Sequence, residues 1–419
     1  MGLVDVGWFA VLLGCGVAYA VVSLRRRAPS PSGADAAPRM PPRRVAGRPV
    51  LGEVLDPRAN GLNTVRLVLA AAVLLWHSYP LTGRDFRAGP VTHQLAHLLA
   101  DGPVDGFFAV SGFLIAGSWV RRPDLVAFLR SRGLRIMPAY LVCLTVTAAV
   151  IAPLGLLFGH QHVGLAAYLR SATTYVASST GLALVQFDIA GTPSSVPYPG
   201  AWNGSIWTLQ WEVGCYLGVL LLGVLGLMRH RSTSVVVFLV ASGWSGLVAL
   251  GLVHGSAPTE LGRLTMMFAA GMVLHAMRDR LPVTPGLVAG ASSAFVACLW
   301  LPDYRLPGAL LLAYAVIGLG AHLRAPRWRM PDDLSYGVYI YAFPVQQLLA
   351  LTALVRAPLP VFVLAAAVVT LPLAFASWFL VEKPLLRRRH QPPPEPAGVG
   401  QPAAVGSPPK PQASIRQRR

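Results

Sequence analysis

The residues with most chemistry to offer stand inside apolar sequence. The stretch Asn63 to Pro80, NTVRLVLAAAVLLWHSYP, carries one arginine, Arg66, and one histidine, His77, eleven positions apart. On a helix, eleven steps of about 100° return to within about 20° of the starting direction, so both side chains lie on one stripe, roughly 16 Å apart along the axis. A histidine suits proton transfer near neutrality, and a guanidinium suits an anion. In a bilayer each group is costly. The plainer alternative is an arginine snorkelling to lipid phosphate and a histidine resting at the interface.

Two further groups share this setting. In FLRSRGLRIMPAY, residues 128–140, Arg132 and Arg135 are three apart. If helical they share a face, a fork suited to phosphate or pyrophosphate. Basic residues are also what the inner side of a membrane protein ordinarily displays. In WNGSIWTLQWEVGCY, residues 202–216, Glu212 stands in an otherwise apolar span. An intramembrane carboxylate is a functional candidate with a cationic or histidine partner, the alternative being a structural hydrogen bond between helices.

The elements that must hold these groups follow from composition. Of 419 residues, 54% are hydrophobic and only 12% charged, against about 25% charged in a soluble domain. Apolar runs at roughly 3–24, 62–79, 104–120, 136–158, 204–227, 233–253, 262–277, 284–301, 306–323, 334–354 and 359–381 predict eleven spans of an all-α polytopic membrane protein. The net charge of +18 sits in the gaps and tails, so it speaks for membrane topology and against nucleic acid. With Arg25 to Arg27 in the cytoplasm, the clusters Arg121 to Arg135, Arg229 and Arg231, Arg278 and Arg280, Arg324 to Arg329, and Arg387 to Arg389 all fall inside. The expected orientation is therefore N-terminus out and C-terminus in.

The chain divides into an N-terminal transmembrane anchor over 1–24, an Arg/Pro-rich cytoplasmic linker over 25–61, a ten-helix domain over 62–385 and a Pro-rich tail over 390–419 that is expected to be disordered. Cys15, Cys143, Cys215 and Cys298 have no spacing suited to a metal, and none is expected. Two outer segments are long, 80–103 and 159–203; the second is a candidate lid or acceptor surface.

The chain over about 60–385 resembles the membrane-bound acyltransferase-3 family of bacterial O-acyltransferases acting on carbohydrates and antibiotics. The resemblance rests on Arg66 and His77, on GPVDGFFAVSGFLI, on Arg132 and Arg135 as Arg-x-x-Arg, on SIWTLQWE ending at Glu212, on DLSYGVYIYAFPVQQ at 333–347 and on SWFLVEKPLLR at 377–387. It implies a ten-helix core, here with one extra N-terminal transmembrane helix, in the bacterial cytoplasmic membrane. It also implies an acyl group, acetyl the leading case, taken from cytoplasmic acyl-CoA and delivered to a hydroxyl of a sugar-containing acceptor. This chain reads Tyr341-Ala342-Phe343 where many members carry a histidine, so Ala342 removes any part that histidine plays.

Acyl transfer to an alcohol needs a base, donors for the developing oxyanion, and alignment of two substrates. On this reading His77 is the base, and Glu212 or Asp105 orients it or stabilises its imidazolium. Arg66, Arg132 and Arg135 hold the CoA phosphates or line the route of the pantetheine arm. The alternative is a polytopic transporter or flippase using the same Arg, His and Glu as a substrate or proton path.

Overall fold

The computed structural model describes residues 47–55, 60–86, 96, 98–183, 185–323 and 330–388. The expected span at 3–24, most of the linker and the tail from 390 lie outside the described residues. The helices are α1 (Leu62–Leu81), α2 (Gly102–Arg121), α3 (Leu125–Phe158), α4 (Leu165–Ser179), α5 (Thr208–Val224), α6 (Arg231–Ala249), α7 (Ser256–Met277), α8 (Pro285–Cys298), α9 (Arg305–His322), α10 (Ser335–Ala350) and α11 (Leu359–Arg387). Among the described residues there is no named β-strand, only isolated bridges. Six helices, α1, α2, α3, α6, α9 and α11, are long and apolar enough to cross a membrane; α5 and α8 are apolar but shorter.

Two departures from the sequence expectation bear on the site. The span expected from 136 begins at Leu125, where the Asp124 carboxylate caps the helix by accepting from the Ala127 amide. Arg132 and Arg135 therefore stand on the early turns of a long helix and not in a loop. The segment 159–203 contains α4, whose Tyr168, Ala172 and Tyr175 pack inward at helical spacing, so it is not a free flap.

Small residues set the closest helix contact. A methyl group on Gly112 of α2 would sit 1.9 Å from the Phe268 carbonyl oxygen of α7, and one on Gly271 of α7 would sit 1.9 Å from the Ala109 carbonyl oxygen of α2. The two glycines form reciprocal notches that let the backbones touch, the means by which helices associate in lipid.

Helices α1 and α10 run parallel at constant register. Arg66 pairs with Asp333 just before α10, 267 positions on, and Ser78 receives a hydrogen bond from Gln346, 268 positions on. Between them Leu74, Ala342 and Ala366 of α11 pack together. The starts of α1 and α10 are thus level with each other.

Candidate active site

The start of α1, α3, the segment just before α10 and the end of α11 come together. Arg66 at the start of α1 and Arg135 on α3 both donate to Asp333 Oδ2, Arg135 at 2.5 Å. The other face of the same guanidinium donates to Glu382 Oε2 at 2.8 Å. Asp333 Oδ1 accepts from the Ser335 hydroxyl at 2.5 Å and from its amide. Near the end of α11 the chain makes a π-helical turn, Ser377–Glu382, and the Ser377 hydroxyl donates to Glu382 Oε1 at 3.0 Å across that five-residue step. Tyr336 and Trp378 lie under the Arg135 guanidinium at 5.7 and 5.5 Å. Burial alone would raise the Asp333 carboxyl, but the guanidiniums of Arg66 and Arg135 outweigh it and hold it below the ordinary aspartate value. Beside it Lys383 and the Trp378 indole donate to Asp332, and the Lys383 hydrogen bond lowers that carboxyl as well.

Arg132 does not join this cluster. Its guanidinium donates to the Ser131 hydroxyl at 3.0 Å and to the Ser118 hydroxyl of α2 at 3.4 Å, and it lies over the Phe128 ring. Helical spacing does place Arg132 and Arg135 near one another, but their side chains go to different partners and form no fork.

Glu212 lies beside Arg66. It accepts from Ser111 at 2.8 Å and from Tyr216, one turn along α5, at 2.5 Å. With Arg66, Phe107, Ser335, Tyr336 and Tyr339 it lines a cavity of about 40 Å³. That volume holds a few water molecules and no substrate arm. Tyr339 closes the outer wall: its hydroxyl meets Thr208 at 2.6 Å and donates to the Ser205 carbonyl. Residues 201–207 run without helical bonds at a buried depth. Their polar groups are met by α10, with Asn203 donating to the Ile340 carbonyl at 2.9 Å, Ser205 to the Tyr339 carbonyl at 3.2 Å, and Gln347 to the Ala201 carbonyl at 2.7 Å. Non-helical backbone is tolerated in lipid only where it is satisfied this way.

His77 stands apart from both carboxylates proposed to orient it. Its ring meets Phe343 edge to face, with centroids 5.1 Å apart, and its Nδ1 is buried without a hydrogen-bond partner. Phe343 in turn meets Tyr198, a half-exposed residue of the outer segment that Gln347 ties down through the Tyr198 carbonyl. Among the described residues, neither Glu212 nor Asp105 bonds to His77. Ala342 is buried against Leu74 and Ala366, where a histidine would have no room.

Asp105 is committed elsewhere. It is fully buried near the start of α2, bonded to Arg263 of α7 at 2.8 Å, with Arg305 of α9 at 3.7 Å and the Tyr304 hydroxyl at 3.3 Å. Asp101 and Glu260 complete the pairing of Arg263 and Arg305. A carboxylate held by these groups is a brace between three helices, and among the described residues it makes no bond to His77, the residue it was expected to orient.

Asp333 and Glu382 are the members of the inner cluster that reading the sequence for chemistry passed over. Both lie within stretches notable for their pattern, DLSYG and VEKPLLR, and each is an acid at the edge of an apolar run, which is the signal that could have found them. Among the described residues no group of histidine, cysteine and carboxylate side chains has the arrangement of a metal site.

An acyltransferase-domain family matches residues 59–379 of the chain. An O-acetyl transferase of Shigella phage Sf6 is 29% identical over 350 residues, covering 79% of this chain and 97% of the relative. Nodulation protein 10 of Rhizobium leguminosarum bv. viciae is 26% identical over 359 residues, covering 79% and 94%. No solved structure matches significantly.

Proposed function

The chain belongs to the acyltransferase-3 family and is an acyltransferase with membrane-spanning helices, and from that premise we propose that it carries an acyl group from cytoplasmic acyl-CoA to a hydroxyl of a sugar-containing acceptor at the outer side. The acyl group is acetyl, in keeping with the name of the phage relative. The acceptor is an exported polysaccharide or a glycosylated metabolite, and the membrane is the bacterial cytoplasmic membrane, with the C-terminus inside and ten helices in the core.

The arrangement along α1 carries this reading. Its inner end presents Arg66 to a buried cavity, and about three helical turns outward on the same stripe His77 holds an unpartnered, buried Nδ1. An imidazole in that state has a ring nitrogen ready for a substrate hydroxyl. Tyr198 and Phe343 beside it form an aromatic shelf of the kind on which a sugar ring stacks.

Arg66 and Arg135 are each matched to a carboxylate, so their role is to fix the inner ends of α1, α3, α10 and α11 around the donor's route. Arg132, which donates to the Ser131 and Ser118 hydroxyls and lies over the Phe128 ring, takes the donor's phosphates. Glu212 and Tyr339 line the cavity beside Arg66. The family match favours transfer over the transporter reading.

The test is transfer of label from acetyl-CoA on one side of sealed vesicles to a saccharide acceptor on the other, with wild-type protein and with His77→Ala. Label appearing on the acceptor only with wild-type protein is the expected result. Equal transfer by both removes His77 as the base, and no transfer by either, across a panel of saccharides, removes the reading.

A further inference from the structure

A second cavity opens on the inner side, away from the Arg66 cluster. It measures about 150 Å³ and lies between the last turns of α2, the turn joining α5 to α6, and the end of α7. Its lining includes Arg229, Arg231, Arg278, His230 and His275, with Asp279 as the one acid among the lining residues.

Each arginine is held so that part of its fork stays available. Arg229 donates through Nε to the Gly226 carbonyl at 3.1 Å, closing the α5–α6 turn at a glycine with φ of 77°. Arg231 and Arg278 reach opposite oxygens of Asp279 at 3.5 and 3.6 Å, both too long for strong hydrogen bonds. Two guanidiniums thus share one exposed carboxylate.

His275 adds a buried donor. Its Nε2 lies 2.5 Å from the Arg278 guanidinium, which can only donate, so Nε2 accepts and the ring proton sits on Nδ1. That Nδ1 is buried with no partner, beside Gly117. Gly117 is what admits it, since a methyl group there would lie 2.6 Å from the imidazole Cε1 and 3.2 Å from Arg121. Arg121 thereby becomes a fourth guanidinium at the same corner. Positive charge on the inner side needs only topology; a concave pocket with converging guanidiniums and a buried imidazole N–H needs a further reason.

We propose that this pocket is a phosphate-binding site, separate from the Arg66 cluster, whose ligand is a phosphate of the donor nucleotide or of an anionic lipid headgroup. Guanidinium forks match phosphate oxygens in pairs, and a short turn carrying two of them can close over such a group.

The test uses the full chain in nanodiscs of neutral phosphatidylcholine, titrated with adenosine 3′,5′-bisphosphate, and in nanodiscs containing phosphatidylglycerol, with retained lipid measured by native mass spectrometry. The variants are Arg229→Ala with Arg231→Ala, both on exposed positions, and Arg278→Ala. Loss of about tenfold or more in nucleotide affinity, the scale of one lost charge-assisted hydrogen bond, assigns the nucleotide. Loss of phosphatidylglycerol enrichment with nucleotide affinity intact assigns the headgroup. Wild-type behaviour toward both probes in the exposed double variant overturns the site, whether or not Arg278→Ala folds. Both readouts are binding and need no turnover, so failure here leaves the acyl-transfer reading untouched.

Discussion

Arg66 and Asp333, 267 positions apart, meet in an ion pair that sets the inner ends of α1 and α10 level, and the same carboxylate oxygen accepts from Arg135 of α3. One aspartate therefore fixes three helices. Replacing it with asparagine leaves two largely buried guanidiniums sharing a neutral amide. Breaking such a pair destabilises by about 3–5 kcal/mol. Asp333→Asn is expected to lower the unfolding temperature of the purified protein and to abolish transfer, while Asp333→Glu retains part of each. An unfolding temperature equal to wild type would show that the pair carries no structural load.

The same cluster predicts a pH dependence. The Asp333 and Asp332 carboxyls are held below the ordinary aspartate value in the folded protein. A depressed pKa contributes stability that is fully present above the unfolded value of about 3.9 and is lost as pH falls through the folded value. These groups are therefore expected to leave stability flat between about pH 5 and 8, with the loss confined to more acid conditions. Unfolding temperature followed across pH in wild type and Asp333→Asn checks this. The acid-side loss should be smaller in the variant.

Sequence pattern alone located most of these elements, for reasons the structure makes plain. Helices α1, α2, α6, α8 and α9 fall close to their apolar runs because burial in lipid leaves little freedom of register. The early start of α3 was hidden because an arginine-rich inner turn of helix has no apolar signature. The shared stripe of Arg66 and His77 was legible because it depends only on helix geometry. The partners of Arg66, Arg135 and Asp105 were not, because each bond spans more than 150 positions and no periodicity carries that information. Asp105 illustrates the limit: its acidity is visible in the sequence, while its pairing with Arg263 and Arg305, which decides its role, is not.

His77 has the opposite character to Asp333. It makes an aromatic contact and leaves Nδ1 unpartnered, so its removal breaks no hydrogen bond at that atom. His77→Ala is expected to abolish transfer of label from acetyl-CoA while the unfolding temperature falls by no more than a small truncation near an aromatic ring entails, about 1–2 kcal/mol. His77→Gln, which keeps polarity and loses the base, should be equally inactive. Activity within a few-fold of wild type in either variant would exclude the imidazole as the base.

The Asp105 brace should separate stability from chemistry. Arg263→Ala leaves Asp105 buried with Arg305 at 3.7 Å as its remaining guanidinium neighbour, and a loss of about 3–5 kcal/mol follows. Donor affinity in the fraction that remains folded should be unchanged, because the brace ties α2 to α7 and α9 and does not reach the Arg66 cluster. Equilibrium binding of labelled CoA to folded protein, alongside thermal unfolding, measures both. A specific loss of CoA affinity would return Asp105 to the site.

Arg132 and Arg135, one helical turn apart, are expected to fail in different ways. Arg135 is matched to Asp333 and Glu382, and the Glu382 side chain is almost wholly buried at 1% exposure, so Arg135→Ala strands Glu382 and leaves Asp333 with Arg66 as its remaining guanidinium. The dominant effect is destabilisation by about 3–5 kcal/mol, with low yields of folded protein. Arg132 donates to the Ser131 and Ser118 hydroxyls, so Arg132→Ala removes bonds to neutral groups there and should cost less stability than Arg135→Ala. Its loss should instead weaken CoA binding by about tenfold, the scale of one charge-assisted hydrogen bond to phosphate. Arg132→Lys should recover only part of that affinity, since a point charge does not reproduce a planar fork. Titration of both variants with labelled CoA, each paired with an unfolding curve, distinguishes the roles. Equal CoA affinity in Arg132→Ala and wild type would move the donor's phosphates away from this helix.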